Sequence, residues 1–136
     1  MSRDMRIGVI GGGAWGTALA QVAARGGEVL LWAREEEVVA TINDRHENSM
    51  FLPGVPLSPA IRATRALDDL ADRDALLVVA PAQHVGAVLN LLPSKDTPLV
   101  LCAKGIEAGS RRLVGEVAQA AHPGAPIAVL SGPTFA

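Results

Sequence analysis

Aromatic residues, cysteine and long apolar runs are all scarce in this sequence. Aromatic side chains make up 3% of its 136 residues and tyrosine is absent, which disfavours a module that stacks nucleic-acid bases on aromatic rings. The single cysteine, Cys102, excludes a disulfide framework and a zinc site built on cysteines. The longest apolar runs, such as 75–81, are far shorter than the roughly 20 residues that span a bilayer, so we expect no integral membrane segment.

Charge is nearly balanced, and no targeting signal is visible. The 12 basic and 14 acidic residues leave a formal net charge of -2, which provides no broad basic face for a nucleic-acid backbone. Residues 1–6 carry charges, and the apolar run after them ends at once in glycines, unlike a secretory signal. The three histidines lie far apart in the chain and lack the spacing of metal ligands. We therefore expect a cytoplasmic chain of one domain, with no nucleic-acid partner and no bound metal.

Short apolar runs alternate with stretches of helical character. Runs rich in Val, Ile and Leu are typical of strands that are buried on both faces of a parallel sheet. The predicted strands are 6–10, 29–33, 60–64, 75–80, 98–103 and 126–130. The predicted helices are 14–25, 35–44, 83–92 and 110–121, with a short helical turn at 66–70. This order predicts an α/β fold with a doubly wound, mostly parallel Rossmann-type sheet and helices on both of its faces.

Three local details complete the fold prediction. Leu19, Val22 and Ala23 share one face of the first predicted helix, which we expect to be its apolar face. Ser110 is a suitable N-cap for the last predicted helix. The proline-rich segment 46–59 is expected to be irregular.

The strongest chemical signal is the segment GGGAWG at 11–16, which follows the first predicted strand and opens the first helix. Its glycines fit the pattern G-x-G-x-x-G. In that setting Gly11 permits a tight turn, Gly13 lets the backbone approach a pyrophosphate, and Gly16 lets the helix pack close to the strand. The free N–H groups at the helix N-terminus favour an anion. We therefore predict dinucleotide binding at this turn; the alternative is a glycine-rich turn that binds nothing.

The end of the second predicted strand bears on which dinucleotide fits. An acidic residue roughly 20 positions after the glycines would hold the ribose 2′-hydroxyl of NAD. Here Arg34 stands 21 positions after Gly13, and the acidic residues come only at 35–37. A guanidinium can pair with a 2′-phosphate or stack on adenine, although Arg34 could also be a solvated side chain. Because Glu35 could still bind a 2′-hydroxyl, use of both NAD and NADP stays open.

Lys104 follows directly on the predicted strand 98–103. Ligands of open α/β sheets lie at the carboxyl ends of strands, and a cation there suits a phosphorylated or carbonyl substrate. The alternative is a surface lysine in a turn. Among other candidates, Trp32 and Cys102 are predicted to be core residues. His84 is predicted to lie on a helix face, and the alternative is a position near the dinucleotide. Asn48 falls in the irregular segment, without a role that the residues alone define.

Several segments together resemble bacterial NAD(P)-dependent glycerol-3-phosphate dehydrogenase. They are GGGAWG, LWAR, NSMFLPGV, VVAPAQ, CAKGIE and LSGPTFA, and they extend over 7–136 in the order and spacing of that family. The resemblance implies a Rossmann-type nucleotide domain followed by a helical substrate domain. It also implies reversible reduction of dihydroxyacetone phosphate by NAD(P)H to sn-glycerol 3-phosphate, a precursor of phospholipids.

The resemblance also implies roles for individual residues. It implies cofactor binding by Gly11, Gly13, Ala14, Trp15, Gly16, Arg34, Pro81 and Lys104, and it implies a position near the cofactor side for Asn48. It makes Lys104 the catalytic residue and assigns substrate binding to Lys104, Ser131, Gly132 and Pro133. The sequence departs from the family at Phe51, where tyrosine is frequent, at Ala82, where serine is usual, and at Gly86, where a basic residue is frequent. The last two departures weaken any specific role for the loop at Pro81.

The resemblance implies that 1–136 form the dinucleotide-binding domain alone, because the family continues beyond this segment into the helical domain. We expect the 136-residue chain to bind cofactor without turning over, and a homodimer of the full-length enzyme stays open. One alternative is another two-domain dehydrogenase, such as a ketopantoate or 6-phosphogluconate type, which CAKGIE and SGPTFA disfavour. The other is a stand-alone dinucleotide-sensing module without chemistry.

Overall fold

The chain folds around a six-stranded sheet in which every strand is parallel to its neighbours. The computed structural model describes residues 5–80, 82–102 and 118–130, without the side chains of 82 and 83. The strands are β1 (Ile7–Ile10), β2 (Val29–Trp32), β3 (Ile61–Thr64), β4 (Ala75–Val78), β5 (Leu99–Leu101) and β6 (Ile127–Val129). Their spatial order is β3-β2-β1-β4-β5-β6, as in a doubly wound Rossmann-type fold. The fold class predicted from the apolar runs is therefore confirmed.

The helices α1 (Ala14–Ala23), α2 (Glu36–Arg45) and α3 (Ala82–Leu91) connect these strands. Short 3₁₀ helices occupy Ala24–Gly26 and Leu67–Leu70, and 118–121 are also helical. Ser110 and most of the predicted helix 110–121 lie outside the described residues. None of the helices in the described ranges has the length and apolar character needed to cross a membrane.

The core is divided between the two faces of the sheet. On β1, Val9 and Ile10 are both fully buried, but they belong to different hydrophobic clusters. The Val9 cluster includes Val38 and Ile42 of α2, and the Ile10 cluster includes Leu89 of α3. Successive strand residues point to opposite faces, so helices cover both sides. This arrangement explains why the strands appear in the sequence as continuous apolar runs.

The predicted apolar face of α1 is wrong for Leu19 and Val22, whereas Ala23 is partly buried and packs against the Val9 cluster. The buried residues of α1 are Gly16, Thr17 and Ala20, whereas Val22 is 56% exposed and Leu19 is only partly buried. Small residues face the sheet because α1 runs unusually close to β1, where a larger side chain has no room. Periodicity selects the largest apolar residues and therefore favoured the wrong face.

A charge cluster lies at the amino ends of the strands, opposite the glycine-rich turn. The Arg73 side chain is 3% exposed and contacts Asp72 at 3.0 Å and Glu28 at 3.5 Å. The hydrogen bond from Arg73 and the positive charges of Arg73 and Arg6 lower the pKa of Asp72 below its ordinary value of 3.8. Because the folded-state pKa is the lower one, the stabilisation by this carboxylate is lost as the pH falls through that pKa.

Gly16 tests the close approach of α1 to β1. A Cβ at Gly16 would collide with the carbonyl oxygen of Gly11, a backbone atom that cannot rotate away. We expect Gly16→Ala to lower the free energy of unfolding by about 1–3 kcal/mol, measured by urea denaturation. Gly26→Ala is the control, because a Cβ at Gly26 meets no heavy atom within 4 Å. Equal stability of the two variants would contradict the packing role of Gly16.

Candidate functional site

A cavity of about 280 Å³ opens at the carboxyl ends of β1, β2 and β4. In the sheet, β2 lies next to β1 on one side, and β4, which comes later in the chain, lies next to β1 on the other side. This reversal of strand order is the position where open α/β sheets bind ligands. The residues that line the cavity are Gly11, Gly12, Gly13, Trp32, Arg34, Glu35, Phe51, Val79, Ala80, His84 and Val88.

The glycine-rich turn forms the floor of the cavity. Gly11 has a φ of 130°, a conformation that glycine adopts readily, and its N–H donates to the Trp32 carbonyl at 2.9 Å. Gly13 is the N-cap of α1 and is exposed. A Cβ at Gly13 would meet no protein atom within 4 Å. The turn therefore presents bare backbone and the start of a helix to the open side of the cavity.

A buried asparagine and a buried threonine hydrogen-bond to the inner side of this turn. Asn48 and Thr17 are both fully buried. The Asn48 amide donates to the Gly12 carbonyl and to the Thr17 hydroxyl, both at 2.8 Å, and that hydroxyl donates to the Gly13 carbonyl at 2.8 Å. The irregular segment that carries Asn48 is therefore joined to the turn by side-chain hydrogen bonds.

Arg34 and Glu35 lie where β2 ends and α2 begins, and both line the cavity. Arg34 is exposed, so its guanidinium is available to a ligand. Glu35 is the N-cap of α2 and is partly buried. The carbonyl of Arg34 accepts a hydrogen bond from Arg65 Nε at 3.2 Å, which fixes the backbone at this corner.

The remaining wall of the cavity is largely apolar. Trp32 belongs to the core, as predicted, but it also borders the cavity, and its indole N–H donates to the Arg65 carbonyl at 2.9 Å. Phe51 and Val88 complete this wall, and the exposed His84 stands at its edge. Val88 was missed because nothing in the sequence separates it from other apolar helix residues. His84 lies on α3, as predicted, and it also lines the cavity, which is the alternative that the sequence left open for this residue.

The structure brings together only part of the residue set that the sequence suggests. Gly11, Gly13 and Arg34 line one cavity. Ala14, Trp15 and Gly16 follow in the first turn of α1 and are not among the lining residues. Outside the described residues lie Pro81, Lys104, Ser131, Gly132 and Pro133.

No nucleophile or metal cluster emerges from the part of the chain that the structure describes. Cys102 is buried just after β5, and burial raises the pKa of its thiol to about 11. A thiol with this pKa is almost fully protonated at neutral pH and is a poor nucleophile. Among the same described residues, no three His, Cys, Asp or Glu side chains are placed to hold a metal ion.

The cavity fits a nicotinamide dinucleotide by its chemistry. The first N–H groups of a helix have no partner inside the helix, and together with the helix dipole they attract phosphate. The missing Cβ at Gly13 leaves open space beside those groups, and Arg34 supplies a guanidinium at the end of the neighbouring strand. These residues suit a pyrophosphate and the adenosine end of the dinucleotide.

Comparison with known proteins gives a consistent family. The model described as the NAD-dependent glycerol-3-phosphate dehydrogenase N-terminus matches residues 6–136. The glycerol-3-phosphate dehydrogenase [NAD(P)+] of Caulobacter vibrioides is 60% identical over 135 residues, with 96% of this chain and 41% of that protein covered. Glycerol-3-phosphate dehydrogenase [NAD(P)+] 1 of Sphingopyxis alaskensis is 56% identical over 137 residues, and the match covers 100% of this chain and 42% of that protein.

A solved structure supports the same relationship in three dimensions. The crystal structure of glycerol-3-phosphate dehydrogenase from Coxiella burnetii matches with a TM-score of 0.82 and 33% identity, covering 96% of this chain and 42% of that one. The chain thus spans about two fifths of the length of the relatives that it matches. The match to the family model extends over nearly all of the 136 residues, and the chain therefore belongs to the N-terminal, NAD-binding part of the glycerol-3-phosphate dehydrogenase family.

Proposed function

We propose that this chain binds NAD(P)H in an enzyme that reversibly reduces dihydroxyacetone phosphate to sn-glycerol 3-phosphate. The observation that carries the proposal is that Gly13, Arg34 and an apolar wall meet in one cavity at the switch point of the sheet. The family relationship supplies the reaction and the substrate. We favour this reaction over that of another two-domain dehydrogenase because the family model and the relatives compared above are glycerol-3-phosphate dehydrogenases. The sensing module is set aside because the relatives carry a dehydrogenase name.

The residues of this chain act by binding and orienting. When bound, the dinucleotide supplies the hydride that reduces the carbonyl. The backbone N–H groups after Gly13 would hold the pyrophosphate. Arg34 would either bind a phosphate at the ribose 2′ position or stack on the adenine ring. Trp32, Phe51 and Val88 line the cavity with apolar surface, which would exclude water beside the adenosine of a bound dinucleotide. Fixing one end of the cofactor in this way limits the motion of its reactive end.

We assign the substrate side to residues outside the described ranges. Lys104, the proposed catalytic residue, follows β5 and would stabilise negative charge that develops on the carbonyl oxygen. Ser131, Gly132 and Pro133 follow β6 and would contact substrate, and Pro81 follows β4 on the cofactor side. In this proposal the 136 residues form the dinucleotide domain of a cytoplasmic enzyme. Its helical substrate domain corresponds to the remaining length of the relatives.

Gly13 tests the pyrophosphate assignment. Gly13→Val should abolish NADPH binding in calorimetry, because a branched Cβ would fill the space of the pyrophosphate. The chain should stay folded, since a Cβ at Gly13 meets no protein atom within 4 Å. Gly26→Val introduces the same side chain at another uncrowded glycine, far from the cavity, and should bind normally. Unchanged affinity in Gly13→Val would refute the assignment.

Arg34 tests the choice between the two dinucleotides. NADPH should bind at least as tightly as NADH, and Arg34→Ala should weaken NADPH more. Loss of a charge-assisted hydrogen bond costs on the order of 1.5–3 kcal/mol, or roughly ten- to a hundredfold in Kd. Arg25→Ala, which removes an exposed arginine outside the cavity, is the control. Equal losses for NADPH and NADH would show that Arg34 stacks on adenine and does not contact the phosphate.

The complete reaction needs more than the 136-residue chain. Carbonyl reduction requires a fixed hydride donor, a cation at the oxygen and a clamp on the substrate phosphate at the same time. Dihydroxyacetone phosphate and NADPH added to this chain should therefore cause no loss of nicotinamide absorbance above background. Calorimetry on the same sample should show bound NADPH. Saturable turnover would mean that these residues already contain the whole catalytic site.

A further inference from the structure

We propose that Asn48, acting with Thr17, is a positioning residue that orients the pyrophosphate-binding N–H groups at Gly13 and Ala14. The inference rests on the proposed function, because it concerns how the same turn holds a dinucleotide. Asn48 is not among the residues that line the cavity. Its effect on the ligand would therefore pass through the backbone of the turn.

The hydrogen-bond pattern defines which way the Asn48 amide points. The carbonyl oxygen of Gly12 can only accept, so the atom 2.8 Å from it must be the donor Nδ2. The second Nδ2 hydrogen is directed to the Thr17 hydroxyl at 2.8 Å. On the other side of the amide, Oδ1 accepts from the Phe51 N–H at 3.1 Å. Both hydrogens and the oxygen of the amide are thus engaged.

The same bonds determine the direction of two peptide planes. Nδ2 of Asn48 holds the Gly12 carbonyl, and the Gly13 carbonyl accepts from both the hydroxyl and the backbone N–H of Thr17. Both carbonyls face buried side chains. In a trans peptide the C=O and the following N–H point in opposite directions, and the described residues contain no cis peptide. The N–H groups of Gly13 and Ala14 are therefore turned away from the interior, toward the exposed side of the turn.

Burial makes this orientation firm. Asn48 and Thr17 are 0% exposed, so water cannot replace a lost hydrogen bond at their positions. A buried polar group that loses its partner pays its full desolvation cost. The turn cannot rotate these carbonyls outward without breaking that network, and the N–H groups are ready for an anion before it arrives.

Asn48 also connects the turn to the opposite wall. Its Oδ1 and its own backbone carbonyl accept from the N–H groups of Phe51 and Leu52, and Phe51 lines the cavity that Gly13 borders. One side chain therefore sets the turn and the approach of the Phe51 wall together. Nδ2 bonds to the turn and Oδ1 bonds to the Phe51 N–H. A substitution that removes only the Nδ2 hydrogens therefore separates the effect on the turn from the effect on the Phe51 wall.

The first experiment removes the donors and keeps the shape. Asn48→Asp loses both Nδ2 hydrogens but keeps an oxygen for the Phe51 N–H. Thr17→Val removes the hydroxyl with little change of volume, and Thr17→Ser restores it. We expect Asn48→Asp and Thr17→Val to weaken NADH binding about tenfold or more in calorimetry. Thr17→Ser should stay within about twofold of the wild-type chain.

Asn43→Asp is the matched control. Asn43 on α2 also bridges backbone groups, with Nδ2 donating to the Ala63 carbonyl at 3.0 Å and Oδ1 accepting from the Ala63 N–H at 2.8 Å. It contacts β3 and not the glycine-rich turn. Asn43→Asp should therefore lower the melting temperature without a matching loss of NADH affinity. An equal loss of NADH affinity in Asn43→Asp would show that Asn48 only stabilises the fold, and it would overturn the proposal.

A spectroscopic readout separates orientation from stability. In ¹⁵N–¹H spectra of the wild-type chain, inorganic pyrophosphate should shift the Gly13 and Ala14 amides. This response should weaken in Thr17→Val and return in Thr17→Ser. Adenosine, which lacks phosphate, should bind the wild-type chain and Thr17→Val alike. If Asn48→Asp fails to fold, the two Thr17 variants carry the test.

The outcomes distinguish this inference from the proposed function. A wild-type chain that binds no NADH refutes the proposed function, and the pyrophosphate response of the two amides still tests the orientation. A wild-type chain that binds NADH beside a folded Thr17→Val with equal affinity overturns the inference alone. Equal losses of adenosine and NADH in Thr17→Val would also overturn it, because the effect would not pass through the pyrophosphate.

Discussion

Everything in the candidate site depends on the central place of β1 in the parallel sheet. β1 pairs in register with β2 on one side and with β4 on the other, so its carboxyl end is the point from which the two halves of the sheet diverge. The chain leaves this point through the turn and enters α1. A ligand placed there meets a helix N-terminus below it and the ends of two further strands beside it. The location of the site therefore follows from the topology, and the side chains decide only what it accepts.

The close approach of backbone segments at this point requires residues without bulk. A Cβ at Gly12 would lie 2.5 Å from the Ala33 Cβ, and Gly16 is held against Gly11 in a similar way. These two glycines allow the turn, α1 and β2 to pack together, whereas Gly13 faces open space. The short motif therefore meets two requirements: Gly12 and Gly16 permit close packing, and Gly13 leaves space for a ligand. A substitution at Gly12 or Gly16 damages the fold first, and one at Gly13 acts on the ligand side.

The sequence predicted the sheet well because the four central strands, β2, β1, β4 and β5, are largely buried on both faces and consist of apolar residues in short runs. Gly11, Gly13 and Arg34 were singled out by their spacing along the chain, and the structure places all three at one cavity. The sequence missed Val88 at the cavity, and it wrongly placed Leu19 and Val22 on the core-facing side of α1, because both features depend on how closely α1 and α3 approach the sheet. The hydrogen bonds of Asn48 join residues 31 to 36 positions apart, and only the folded segment around 46–57 brings them into contact. No local signal marks such a residue.

The two ends of the cavity differ in rigidity: buried hydrogen bonds hold the glycine-rich turn, whereas Arg34 is an exposed side chain. This difference separates affinity for a dinucleotide from selectivity between the two dinucleotides. The turn is held by buried, fully engaged side chains whose rearrangement is costly. Arg34 is an exposed side chain whose backbone carbonyl alone is held, by Arg65. Exposed charges are screened by salt and are free to change rotamer, so Arg34 can adapt to a 2′-phosphate or to a 2′-hydroxyl beside Glu35. In the function that we propose, the rigid end would hold the pyrophosphate that both dinucleotides share. The preference between them is a smaller, salt-sensitive difference that is set at the adaptable end.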